Sequence, residues 1–82
     1  MALKLVFLGR LEDQAGMAEM LMPLEDTLSL AQVLSALPGD LAAALQGPKV
    51  KLALNGALLG QGAEPLLADG DELAFLPPVS GG

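Results

Sequence analysis

At the start of the chain, Leu3, Leu5 and Phe7 fall on one parity and Lys4, Val6 and Leu8 on the other. This period of two predicts a β-strand. The stretch GRLEDQAG (residues 9–16), bounded by glycines, reads as a polar loop. Residues 18–24 form a second expected strand, with Ala18, Met20 and Met22 on one face. The connection is short, so the two strands are expected to form an antiparallel hairpin. Thr27 is placed to cap a helix. In that helix Leu30, Val33, Leu34 and Leu37 recur at i, i+3, i+4 and i+7, which makes one apolar face. Pro38-Gly39 ends it. Asp40 opens a short second helical segment, LAAALQ, closed by Gly47-Pro48. Alternation returns over residues 50–55, and Asn55-Gly56 is a turn signal leading to a short strand at 57–59. Residues 60–63 read as loop and Pro65-Leu66-Leu67 as a single turn. Asp69-Gly70-Asp71 is a tight turn into a last strand over residues 72–76, where Pro77, lacking an N–H, stops the ladder.

The order β-β-α-β-(β)-β, with one main helix over one face of one mixed sheet, is the α+β arrangement of a β-grasp, or ubiquitin-like, domain. Its first and last strands are expected side by side at the centre. The domain spans residues 1–77, and residues 78–82 form an extended tail. If Leu3, Leu5, Phe7, Leu52, Leu54, Leu73 and Phe75 face the helix, the other face carries Lys4, Val6, Leu8, Lys51, Ala53, Ala74 and Leu76. Val6, Leu8 and Leu76 are then apolar and exposed, a candidate partner surface unless loops fold over it.

Composition narrows the chemistry. The chain has 82 residues, enough for one small domain, and 52% of them are hydrophobic. That is more apolar surface than such a domain readily buries, and it points to a partner. There is no Cys, His, Trp or Tyr. Imidazole- or thiol-based nucleophilic systems, imidazole and thiolate metal ligands, and aromatic stacking platforms are thereby removed. The basic residues are Lys4, Arg10, Lys49 and Lys51, and the net charge is -6. This argues against nucleic acid and anionic membranes as partners. No apolar run approaches the roughly 20 residues of a membrane span, and the first residues lack the leading charge cluster of a signal peptide. A cytoplasmic location is expected.

The hydroxyls are those of Thr27, Ser29, Ser35 and Ser80, with no imidazole to activate them. Glu12-Asp13 and Glu25-Asp26 are adjacent carboxylates in expected loops, which solvation explains better than a bound cation. Asp69, Asp71 and Glu72 are ordinary turn chemistry. No GxGxxG or P-loop spacing occurs. The chain is not expected to be an enzyme by itself, nor to bind a metal or cofactor of its own.

One reactive group remains, the α-carboxylate of Gly82. The five residues after Pro77 reach on the order of 16 Å when extended. Pro77 and Pro78 stiffen the base of this segment. Gly81 and Gly82, without Cβ, suit a narrow channel in another protein.

The segment DGDELAFLPPVSGG (residues 69–82) resembles the C-terminus of the small subunits of molybdopterin synthase, the MoaD-like, ubiquitin-like sulfur carriers. The family pattern is D-G-D-E-apolar-x-apolar-apolar-P-P-V-[ST]-G-G, and each position is met. The first strand LKLVF, Arg10, Glu12 and Gly16, the DTLSLAQVLSAL helix and the Asn55 turn are also similar. The family often joins Arg and Glu directly and places the glycine sooner, so the loop after Arg10 departs from the pattern. The resemblance implies that an E1-like adenylyltransferase uses MgATP to activate the Gly82 carboxylate. A persulfide sulfur donor then leaves a thiocarboxylate. The tail enters the large subunit of molybdopterin synthase, which supplies the catalytic side chains, and sulfur passes to precursor Z. It further implies that Gly81, Ser80, Val79 and Pro78 thread the partner's channel, and that Leu76 and Leu58 pack on partners. Val6, Leu8 and Arg10 join them as expected interface residues. With no cysteine, sulfur can be carried covalently only on the terminal carboxyl.

Three other readings stay open. A thiamine-pathway sulfur carrier has the same fold and terminus, although Pro-Pro-Val-Ser favours the molybdopterin branch. A ubiquitin-like protein modifier would end as an isopeptide on a lysine. A plain interaction module would have an inert tail.

Overall fold

The computed structural model of the protein describes residues 1–60 and 62–77. The elements in chain order are β1 (Ala2–Phe7), α1 (Arg10–Ala15), β2 (Glu19–Pro23), β3 (Leu28–Ser29), α2 (Leu30–Ser35), α3 (Gly39–Leu45), β4 (Lys51–Leu54), β5 (Ala57–Leu58), β6 (Leu66–Leu67) and β7 (Glu72–Leu76). Five strands form one mixed sheet in the order β2-β1-β7-β4-β5, and β3 pairs with β6 beside it. β1 and β2 are the expected antiparallel hairpin. β1 and β7, first and last in the chain, run parallel at the centre, with Leu5 opposite Leu73 and Phe7 opposite Phe75. This is the β-grasp fold.

Alternation sorts the sheet as the sequence predicts. Leu3, Leu5, Phe7, Leu73 and Phe75 are fully buried on the helix side, with Val33, Leu37, Leu41 and Leu45 above them. Leu52 and Leu54 are half-buried and pack against this core. Phe7 and Phe75 stack with ring centroids 5.8 Å apart, an aromatic pair that contributes about 0.5–1.5 kcal/mol beyond its buried area.

Four local expectations are corrected. Residues 10–15, expected as loop, form α1. Leu11 is buried and Ala15 packs on the core one turn later, while Gly16, at φ 76, closes the helix in the left-handed region. Thr27 is not the cap of the main helix. Ser29 is, because β3 holds residues 28–29 extended and Ser29 forms a capping box with Gln32. Asp40 does not cap the next helix, which begins at Gly39 after Pro38, and Asp40 lies in its first turn. Leu66 and Leu67, expected as part of a turn, are strand β6, with Leu67 opposite Leu28 and fully buried. The sheet is therefore covered by three short helices rather than by one main helix and a short segment. Among the described residues, no helix is long and apolar enough to cross a membrane.

Candidate functional site

The sheet face away from the helices carries an apolar stripe. Register sets Val6, Ala74, Ala53 and Leu58 in one row across β1, β7, β4 and β5. The two alanines keep the centre of this row low. Leu58, at the β5 edge, is 70% exposed. One step toward the end of β7 lie Leu8 and Leu76. The Leu8 N–H donates to the Phe75 carbonyl at 3.1 Å, which continues the central ladder past β1. Leu8 is 41% exposed, whereas Val6 and Leu76 are half-buried rather than open. At the other end, Lys4 bridges Glu19 at 3.6 Å and Glu72 at 4.0 Å, closing the stripe with charge. Leu21, opposite Lys4 on the free edge strand, is 68% exposed. It shares the outward parity of β2 with Glu19 and Pro23, so the alternation that sets Met20 and Met22 inward was the signal that could have found it.

Pro77 follows Leu76 and, by the same alternation, turns to the helix side. There it lines a hollow of about 320 Å³ with Arg10, Leu11, Pro48, Lys49 and Val50. Lys51 stands opposite Leu76 on β4. Three of the four cations, Arg10, Lys49 and Lys51, thus gather where the chain leaves the sheet. The fourth, Lys4, sits between carboxylates. Lys49 and Lys51 were not singled out in the sequence because only the tertiary fold brings the 47–51 segment to Pro77.

Leu76, Leu58, Val6 and Leu8 therefore share one face, and Arg10 lies on the other side of the base of the tail. Pro78, Val79, Ser80, Gly81 and Gly82 lie outside the described residues. A larger hollow of about 440 Å³ lies between the helices and the β4–β5 region, lined by Leu30, Leu34, Leu45, Leu52 and Leu59 among others. It brings no acid–base pair together. The Asp69–Asp71 turn is occupied structurally. Asp69 Oδ1 accepts from Ala2 N–H at 2.8 Å, and Asp71 accepts from Asn55 Nδ2 at 3.0 Å and from Ala68 N–H at 2.9 Å. These bonds hold the Asp71 carboxyl below the usual carboxylate range, the Asn55 amide first and the Ala68 amide second.

The ThiS family model matches residues 5–82. Among solved structures, the chain resembles SAMP1 from Haloferax volcanii at 25% identity and TM-score 0.73, covering 100% of each chain. It resembles the small archaeal modifier protein 1 of Methanosarcina acetivorans at 28% identity and TM-score 0.73, covering 99% of this chain and 96% of that one. It shares the fold of a chain in the complex of subunits 1 and 2 of molybdopterin-converting factor from Helicobacter pylori, at 24% identity and TM-score 0.65 with full coverage of both. No curated protein matches the chain. A family match over nearly the whole length, on a β-grasp sheet shared with these structures, fixes the kinship: the chain belongs to the ThiS family, among the ubiquitin-like sulfur carriers and modifiers.

Proposed function

We propose that the protein is the sulfur-donating small subunit of a molybdopterin synthase and that the Gly82 carboxylate is its working group. The observation that carries this reading is the convergence of the apolar stripe, the cation cluster and Pro77 at one end of the sheet. A partner gripping that end holds the tail in its own active site. The PPVSGG terminus of the sequence supplies the molybdopterin assignment.

A carboxylate is a poor acyl electrophile. An E1-like adenylyltransferase, using MgATP, joins it to AMP and releases pyrophosphate. The outer sulfur of a persulfide donor attacks the acyl carbon and AMP departs. A thiol then cleaves the resulting acyl disulfide, leaving the thiocarboxylate and an oxidised thiol pair. The large subunit supplies the side chains for sulfur transfer to precursor Z. The chain itself provides the carrier, the grip and the approach, in a cytoplasmic setting.

A second reading is favoured by the likeness to small archaeal modifier proteins. There the same adenylate is attacked by a lysine amine of another protein, and Gly82 ends in an amide. Delivery to thiazole synthesis is the corresponding alternative within the matched family.

Intact-protein mass spectrometry separates these. The protein is incubated with an activating enzyme, MgATP and a sulfur source. Exchange of one oxygen for sulfur on the C-terminal peptide supports the carrier. Conversion of precursor Z by that product with the large subunit supports the molybdopterin branch, and activity only with thiazole synthase overturns it. Amide-linked adducts without thiocarboxylate favour the modifier. No change with an activating enzyme proven on another carrier overturns all three.

A further inference from the structure

The β1–β7 ladder pairs Phe7 with Phe75, and one further register step sets Gly9 opposite Pro77. An amide proton at position 77 would donate to the Leu8 carbonyl, and proline has none. That carbonyl accepts instead from Leu11 N–H at 3.1 Å, and the Gly9 carbonyl from Glu12 N–H at 3.1 Å. The bonds of the ladder are thus handed over to the first turn of α1. Between residues 9 and 77 packing takes the place of hydrogen bonding. A Cβ on Gly9 would stand 2.8 Å from Pro77 Cγ and 3.6 Å from its Cδ. Gly9 also has φ 56 and ψ -134, a conformation that residues with side chains rarely adopt. At the other described glycines of positive φ, Gly16, Gly56, Gly62 and Gly70, a Cβ would meet nothing within 4 Å. Those four serve open turns. Gly9 alone of the described glycines is pressed against the residue from which the tail departs.

We propose that Gly9 is a positioning residue. Its bare Cα is a seat for the Pro77 ring, and this seat sets the direction in which the chain leaves β7. The inference rests on the tail being presented to an activating enzyme, because a tail aimed in advance loses less freedom on capture. A side chain at position 9 displaces the ring and misdirects the chain. Pro77→Ala removes Cγ and Cδ, so it relieves the contact and leaves the backbone strain at position 9 unchanged.

Two readouts test the seat. The chain has no cysteine, so Ser80→Cys accepts a single nitroxide label, and paramagnetic broadening of amides at residues 10–15 and 47–51 reports the direction of the chain without any enzyme. The unlabelled chain, with its tail complete, gives the activation rate by mass spectrometry. Gly9→Ala is expected to shift the broadening pattern and to slow activation by about tenfold or more. Gly9→Ala/Pro77→Ala is expected to recover activation to the level of Pro77→Ala alone while remaining less thermally stable than Pro77→Ala, because the backbone strain at position 9 persists. Should Gly9→Ala not fold, Pro77→Ala by itself must change the pattern. A pattern unchanged in the folded variants, or strictly additive effects of the two substitutions, overturns the seat. A wild type that is never activated overturns the carrier reading instead and leaves the seat to be judged by the label.

Discussion

The carboxylate of Asp71 accepts from Asn55 and Ala68, while Asn55 Oδ1 accepts from Glu72 N–H at 2.9 Å. Asp71, half-buried, thus helps tie the β4–β5 turn to the start of β7. Because its folded pKa lies below the unperturbed value of about 3.9, its stabilisation is present above that value. It is lost as pH falls through the folded pKa. Asp71→Asn is therefore expected to lower Tm at neutral pH, and the gap to wild type should close in melts run below the unperturbed value. Ser29→Ala removes the acceptor for Gln32 N–H at 3.1 Å and should cost about 1 kcal/mol in urea denaturation. Both features were partly legible. The Asp-Gly-Asp turn was plain, but its reach to Asn55 is a tertiary fact. The cap was readable in principle. Gln32 stands three residues after Ser29 and can reach back, whereas Leu30, three after Thr27, has no group to do so.

At the scale of elements, β7 divides its labour by parity. Leu73 and Phe75 are fully buried, while Ala74 and Leu76 face outward. Leu73→Ala should destabilise by about 2–5 kcal/mol in chemical denaturation, the range for a large-to-small core change. Leu76→Asp should cost less stability but impair capture by the large subunit in a binding titration. A loss of stability matching that of Leu73→Ala would reverse the assignment of faces. Strands of this kind announce themselves, since burial on one side writes period two into the sequence. Helix α1 does not. It has six residues, and only Leu11 is buried, with Ala15 in support. Two inward positions are too few to stand out among Arg10, Glu12, Asp13 and Gln14. Strand β6 escapes for a related reason. Two leucines beside a proline pair with Leu28 and Ser29 far back in the chain, and local pattern does not carry that partnership.

On the scale of the molecule, the net charge is -6, yet Arg10, Lys49 and Lys51 collect at the end that holds Pro77. Such an asymmetry orients a diffusing molecule toward an acidic mouth. Arg10→Glu/Lys49→Glu is expected to slow association with the activating enzyme and to flatten the dependence of that rate on salt, as stopped-flow kinetics would register. Removing Gly81 and Gly82 should leave the circular dichroism spectrum intact and abolish activation.

The central ladder joins residues 4–7 to residues 72–75, so the sheet cannot close until nearly the whole chain exists. During synthesis β1 waits, exposed on one side, for the last strand to leave the ribosome. Contacts of such long sequence separation make folding slow compared with helical domains of this size. A prematurely ended chain lacks β7, leaves Leu3, Leu5 and Phe7 uncovered, and falls to proteolysis or aggregation. Folding of the domain is thereby tied to synthesis of β7, whatever follows that strand.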